Sequence, residues 1–241
     1  MAESVTGAPG FAMPSAKTMR TVGALIVLIG AVLLIAALFT PWYAEKTSYA
    51  SVSETGNFYP GFPSQNGTIQ YSCSGVPACP AQTSYTNEHL NNTGNIAETG
   101  FFLLIVGVIF GVIAAVFGFM ARGSTRRVRP AMILAIIALI LALIAPILFA
   151  AALPGAISSD IPTAGRPTSS GPWSSFIGST SYTFSGVTIS LNWGPTTGWY
   201  IAFVAFVLFL VGLIFLFRAR REEPAAQPAA MAPPMASPPT Q

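Results

Sequence analysis

Charged residues are scarce in this sequence. They make up 8% of its 241 residues, whereas about 25% is usual for soluble domains. Four long apolar runs contain no Asp, Glu, Lys, Arg or His at all; they cover residues 21–39, 101–119, 131–153 and 199–217. Proton relays, ion pathways and voltage sensors need ionisable groups at membrane depth. Transport or electron transfer by this chain alone is therefore not expected.

Histidine and cysteine are also nearly absent. The one histidine, His89, falls between the first two runs, so ligation of haem by bundle histidines is excluded. No metal-ligand set or catalytic constellation is present, so we predict no enzyme activity, no cofactor, no metal and no small-molecule substrate. The formal charge of +3 does not indicate nucleic-acid binding, because most basic residues flank apolar segments.

Each apolar run is long enough to cross a bilayer. At about 1.5 Å per residue the first run spans roughly 29 Å as a helix, close to the thickness of a hydrocarbon core. A cleaved signal peptide is the alternative for this run, with Lys17 and Arg20 before it. Signal peptides have apolar regions of about 7 to 15 residues, which is shorter than this run. We therefore expect a four-pass membrane protein in contact with lipid.

Basic residues predict how these segments are oriented. Lys and Arg near helix ends are enriched on the cytoplasmic side. They cluster before the first run, between the second and third, and after the fourth; the last two clusters are Arg122, Arg126, Arg127, Arg129, Arg218, Arg220 and Arg221. The three clusters agree on a cell-membrane protein with cytoplasmic N- and C-termini and two external loops.

This topology divides the chain into nine segments. We expect a cytoplasmic arm at 1–20, membrane spans at 21–43, 99–121, 131–153 and 198–217, external loops at 44–98 and 154–197, a basic cytoplasmic loop at 122–130, and a disordered Pro- and Ala-rich tail at 218–241. Trp42, Tyr43, Trp199 and Tyr200 stand at outer span ends, which is typical of an interfacial aromatic belt.

Small residues predict how the spans pack. Close backbone approach drives helix association in lipid. The third run carries a stripe of alanines, and the second carries a G-x-x-x-G motif; the residues are Ala131, Ala135, Ala138, Ala142, Gly107 and Gly111. These spacings favour an antiparallel four-helix bundle with crossing angles of about 20°. A homodimer seam at Gly107 and Gly111 is the alternative, and packing within one chain is favoured because four helices are available.

The external loops contain strand patterns. Ile69, Tyr71 and Cys73 alternate with polar residues, and so do the apolar residues of 187–193, which follow a turn at Ser185-Gly186. Period-two alternation indicates half-buried antiparallel strands, and an isolated hairpin is marginally stable. We therefore predict one small antiparallel sheet, built from both external loops, on an otherwise all-α membrane protein.

The external side also carries candidate covalent sites. Cys73 and Cys79 lie where a disulfide can form, and we predict that they bridge a short loop. A redox role is the alternative; it is disfavoured because the spacing is C-x5-C and no second pair exists. Asn66 and Asn91 begin N-glycosylation sequons, which matter only in a host that glycosylates.

The layout resembles the claudin and PMP22-like tetraspan proteins. The likeness covers four passes, Pro41-Trp42 at the start of the larger first loop, a Cys pair near its middle and a strand-forming second loop. Departures are Ile-Gln-Tyr-Ser before Cys73, a shorter Cys spacing and a tail ending Pro-Pro-Thr-Gln. The resemblance implies lateral assembly or cell-surface contact with itself or other membrane proteins, and it does not imply a paracellular barrier.

Two other functions compete with this interpretation. An accessory subunit of a larger respiratory or transport complex would use the small-residue stripes against partner helices. A DsbB-like thiol enzyme would have to cycle Cys73 and Cys79 through a second redox pair, which the chain lacks.

Overall fold

The computed structural model describes residues 15–60, 68–75, 82–121, 128–161 and 171–221. Within these ranges it contains four helices: α1 Ala16–Leu38, α2 Asn91–Met120, α3 Val128–Asp160 and α4 Thr197–Arg221. Six strands complete the described fold: β1 Tyr43–Tyr49, β2 Val52–Tyr59, β3 Thr68–Ser74, β4 Gln82–Ser84, β5 Gly178–Phe184 and β6 Val187–Pro195.

All four helices are long and apolar enough to cross a membrane. Large aliphatic side chains point outward along them; Val32, Ile133 and Val204 are 55%, 59% and 52% exposed. A helix that is hydrophobic on every side is stable in lipid and not in water. The chain is therefore a four-pass membrane protein, and the predicted fold class is confirmed.

Small residues bring the helices together. Ala135, Ala138 and Ala142 are fully buried on α3. On α2, a Cβ added at Gly111 would lie 3.0 Å from the Phe209 ring of α4 and 3.2 Å from Ala31 of α1. The small-residue surfaces thus pack against other helices of the same chain, as the helical spacing indicated.

The helices extend beyond the predicted spans. Helix α1 begins at Ala16, where the Ser15 hydroxyl accepts a hydrogen bond from the Thr18 amide at 3.3 Å. Lys17 and Arg20 therefore belong to α1 and not to a separate arm. Arg20 is buried and donates to the carbonyl of Ala121, at the end of α2, at 3.0 Å. A cation at a helix C-terminus is favourable because the last carbonyls there carry partial negative charge.

At the opposite end, α2 and α3 are tied together by one carboxylate. Helix α2 begins at Asn91, before the predicted start at residue 99, and α3 continues past residue 153 to Asp160. Asp160 accepts hydrogen bonds from the backbone amides of Asn92 and Thr93 at 2.9 and 2.7 Å, and from the Thr93 hydroxyl at 2.7 Å. The end of α3 therefore caps the start of α2, whose own N-cap residue makes no side-chain capping bond.

The strands form a single antiparallel sheet in the order β4-β3-β2-β1-β6-β5. Strands β1 to β4 come from the first loop and β5 and β6 from the second, and the two loops join where β1 pairs with β6. One sheet built from both loops was predicted and is confirmed. The sheet has six described strands, whereas the sequence patterns indicated only β3, β5 and β6. Strands β1 and β2 escape these patterns because their inward positions include Glu45 and Glu54.

Trp42 connects the bundle to the sheet. Its amide donates to the carbonyl of Phe58 at 2.9 Å, and its indole nitrogen donates to the carbonyl of Ala37 at 2.8 Å. Its carbonyl accepts from the Thr196 amide at 3.1 Å, and its ring meets Phe149 edge-on at 5.2 Å. One residue thus joins α1, α3, the sheet and the segment before α4.

The burial of two aromatic residues corrects the aromatic-belt expectation. Trp42 and Tyr43 are fully buried in the protein, whereas belt residues have rings that face the lipid–water boundary. Tyr200 is 54% exposed, and Trp199 is half-buried and donates to the carbonyl of Pro146 at 3.0 Å. The sheet covers one end of the bundle at Trp42 and Tyr43, which explains their burial.

Candidate functional site

The sheet has an inner face turned toward the bundle. Paired positions share a face, so Tyr43 lies beside Phe58 and Pro195, and Phe58 lies beside Ile69. Ile69 and Trp193, two of the residues in the predicted alternating patterns, are both buried. The patterns therefore identified the inward side of these strands correctly.

An acidic cavity lies under this inner face. It has a volume of about 230 Å³, and its lining consists of Glu45, Thr47, Glu54, Gly56, Phe58, Tyr71 and Leu90. Glu45 pairs with Gly56 and Thr47 pairs with Glu54, so the two carboxylates occupy diagonal positions on neighbouring strands. Leu90, just before α2, places the cavity between the sheet and the bundle.

Burial controls the electrostatics of this cavity. Burial, and then the nearby Glu54 carboxylate, raise the pKa of Glu45 to about 7. Burial, followed by the charges of Glu88, Glu54 and Glu45, raises the pKa of Tyr71 to about 12. Burial and Glu45 also raise the pKa of Tyr43, whose hydroxyl is buried without a hydrogen-bond partner among the described residues. Glu45 therefore takes up a proton near neutral pH.

The cavity does not have the ligands of a metal centre. Within the described parts of the chain, no three His, Cys, Asp or Glu side chains come close enough to hold a metal ion. The nearby Glu54 carboxylate disfavours ionisation of Glu45. The arrangement can bind a proton at Glu45.

The second-loop hairpin presents an apolar tip. Ser185 and Gly186 have φ values of 49° and 81°, which define a two-residue turn of the I′ type that matches the twist of a hairpin. The flanking side chains Phe184 and Val187 are 68% and 41% exposed. Large exposed apolar groups outside the bilayer are candidates for contact with another protein.

Strand β5 forms one long edge of the sheet. Its only paired neighbour among the described strands is β6. In a two-residue hairpin the residues that flank the turn exchange hydrogen bonds, so Phe184 and Val187 form such a pair and bonded pairs alternate from there. The backbone groups of Ser179, Ser181 and Thr183 therefore point away from β6, along the open edge.

Within the described residues, this edge lacks the usual protection against pairing. Natural edge strands are protected by charged side chains, proline, bulges or short length. Strand β5 has seven residues, GSTSYTF, with neither charge nor proline, and it pairs with β6 without a bulge. No charged residue occurs between Arg166 and Arg218 in the sequence. Together with the hairpin tip, this edge is the strongest candidate contact surface in the described structure.

The predicted packing residues lie inside the bundle. Gly107 faces Leu34 and Leu141, and Gly111 faces Phe209 and Ala31. The predicted alanines of α3 are all buried: Ala131, Ala135, Ala138 and Ala142. These residues are already used within one chain, which leaves them unavailable to a partner helix.

The predicted basic residues are only partly described. Arg129 is exposed near the start of α3, and the last turn of α4 carries Arg218, Arg220 and Arg221. Arg122, Arg126 and Arg127 lie outside the described residues, as do the tail from 222 onward and residues 1–14. The described basic residues of the helices all lie at the bundle end opposite the sheet.

The predicted covalent sites are also partly described. Cys73 lies on β3 and is not a free thiol. Its predicted partner Cys79 falls outside the described residues, so the Cys73–Cys79 bridge stays a prediction. Asn66 falls outside them too. Asn91 is the exposed first residue of α2, while Thr93 of the same sequon is buried and donates to Asp160.

Sequence reasoning missed Asp160 and the two cavity glutamates as structural features. Asp160 was one of few charges in the second loop, and no local pattern links it to Asn92 and Thr93. The sequence indicates only weakly that Glu45 and Glu54 face inward: each lies an even number of residues from a buried aromatic residue on the same strand, Tyr43 on β1 and Phe58 on β2.

Compared with known proteins, the chain matches no protein-family model and no curated protein sequence. The likeness to claudin and PMP22-like proteins is therefore one of architecture: four long apolar helices with an antiparallel sheet between the first and second.

Proposed function

We propose that this four-pass membrane protein is a non-enzymatic contact protein that assembles laterally, or with other surface proteins, through its external sheet. The observation that carries the proposal is the edge of β5, which is uncharged and has no second partner among the described strands, beside the apolar tip formed by Phe184 and Val187. Backbone groups along such an edge bind an added strand, and exposed apolar side chains add burial.

Charge supports the orientation that this role requires. Lys17, Arg129 and the arginines that end α4 lie at the bundle end away from the sheet. Because basic residues mark the cytoplasmic side, the sheet then faces the exterior of the cell membrane. Both termini are cytoplasmic in this arrangement.

The accessory-subunit alternative gains no support from the helix surfaces. That function was expected to use small-residue stripes against foreign helices, and the glycines of α2 instead face α1, α3 and α4. The outward helix surfaces carry large aliphatic side chains, which suit lipid.

The test is purification of the tagged full chain from its native membrane in mild detergent, with mass spectrometry of the recovered material. We expect the chain alone or as a homo-oligomer. Recovery of the subunits of a larger respiratory or transport complex in fixed stoichiometry would show an accessory role and refute the proposal.

A matched pair of variants links assembly to the sheet. Phe184→Ser with Val187→Ser removes the apolar tip, and we expect its oligomer to be lost while its amount in the membrane is unchanged. The control Thr188→Ser alters the next exposed residue, which points away from the bundle, and should assemble like the wild type. Equal assembly of both variants would exclude the hairpin tip as a contact.

A further inference from the structure

We infer that the partner of the β5 edge is a second copy of this chain in the same membrane, paired through an antiparallel β5–β5 contact. The inference rests on the proposed function and names its partner.

The register of β5 is self-complementary. Its outward backbone groups belong to Ser179, Ser181 and Thr183. If two copies pair about a two-fold axis at Ser181, then Ser181 meets its own equivalent and Ser179 meets Thr183. Every outward-pointing residue of one edge then faces an outward-pointing residue of the other, so all of their backbone donors and acceptors are satisfied.

The side chains and charges of the hairpin allow this approach. Strands β5 and β6 contain no charged residue, so two copies of the hairpin meet without like-charge repulsion. Ser179, Ser181 and Thr183 are exposed and small, and they can bond across the seam through their hydroxyls. A charged partner strand would find no complementary group there.

The membrane favours a second copy as the occupant. All copies in one bilayer carry the sheet on the same side and at the same height, so their β5 edges move in one plane. The inner face of the sheet is turned toward the bundle, and a two-fold axis perpendicular to the sheet keeps both inner faces, and therefore both bundles, on the same side of the joined sheet. The opposite edge, β4, has only three residues and offers a much shorter ladder.

Cysteine cross-linking in native membranes tests the pairing. Cα atoms of a hydrogen-bonded antiparallel pair are about 5.5 Å apart, within the usual range for a disulfide. We expect the full chain with Ser181→Cys to form a covalent dimer on oxidation. Thr188→Cys is the matched control: it is also exposed, but it lies on β6, one strand further from the seam, and it should stay monomeric.

Two differently tagged chains test the register. Ser179→Cys in one and Thr183→Cys in the other should cross-link when co-expressed. Ser179→Cys alone should not, because its two copies would lie roughly 13 Å apart along the strands. In addition, Ser181→Lys places like charges opposite each other and should abolish the dimer.

The outcomes separate this inference from the proposed function. A homo-oligomer recovered in detergent without cross-linking at Ser181 above the Thr188 control would overturn the β5–β5 contact and leave the contact function intact. Recovery of the subunits of a larger respiratory or transport complex in fixed stoichiometry would overturn the function itself.

Discussion

The Asp160 cap offers the sharpest test of how the bundle is held together at the end that faces the sheet. The Asp160 carboxylate accepts four hydrogen bonds, from the amides and side chains of Asn92 and Thr93, at 2.7 to 2.9 Å. Thr93 is fully buried, whereas Asn92 is exposed, so the Thr93 bonds carry most of the stabilisation. Loss of the carboxylate would leave two buried donors of Thr93 without their partner.

The magnitude follows from those two donors. A hydrogen bond to a charged group contributes about 1.5–3 kcal/mol, and loss of a helix cap costs about 1 kcal/mol. These effects overlap, so we expect Asp160→Ala to lower the free energy of unfolding by about 3 kcal/mol. Thr93→Val, which removes one bond and keeps the shape, should cost less.

The assay is unfolding of the purified chain in mixed micelles, with the free energy taken from a denaturing-detergent titration followed by tryptophan fluorescence. Ser159→Ala is the matched control, since the exposed Ser159 hydroxyl only donates back to Gly155 within α3. A cycle combining Asp160→Ala with Thr93→Val should show coupling of about 1–2 kcal/mol. Additivity within about 0.5 kcal/mol, or equal losses for Asp160→Ala and Ser159→Ala, would refute the reasoning.

Two further predictions use the same measurement. Folding raises the pKa of Glu45 from 4.5 to about 7, so the folded protein holds one more proton than the unfolded chain between these pH values. The contribution of protonated Glu45 to the free energy of unfolding is therefore complete below pH 4.5 and is lost as the pH rises through 7. Glu45→Gln should remove this pH dependence and stabilise the protein at pH 8 by about 1–2 kcal/mol, and an unchanged pH profile would contradict the assignment. At the α1–α4 contact, a Cβ on Gly212 would lie 2.7 Å from Val27 and 2.9 Å from the Gly23 carbonyl, so Gly212→Val should cost about 2–3 kcal/mol. Its control Gly155→Ala, with nothing within 4 Å, should instead stabilise α3 by about 0.5–1 kcal/mol, and equal losses would show that the contact is loose.

Much of the fold could be predicted from the sequence because its signals are local. A long uncharged run has no stable state in water, so the four spans follow from hydropathy alone. Alternation in β3 and β6 identifies the inward side of these strands. One sheet shared by both loops was also predicted, on the ground that an isolated hairpin is marginally stable, although the first loop alone supplies four of the six strands.

The missed strands and helix ends depend on distant residues. Strands β1 and β2 have glutamates at inward positions, which conceals the alternation that marks β3. The first turns of α2 are polar and lack a local side-chain cap. They become helical in the fold because Asp160, from the end of α3, satisfies their amides.

The sequence by itself determined the four spans, the basic end of the bundle and the strand-forming loops, because each depends on the polarity of neighbouring residues. Only the tertiary structure decided that Trp42 and Tyr43 are buried anchors and not belt residues, since an aromatic residue at a span end looks the same in either role. It also decided that Glu45 and Glu54 share a cavity and that β5 is an edge. Strand order and register, which bring distant residues side by side, have no local sequence signal.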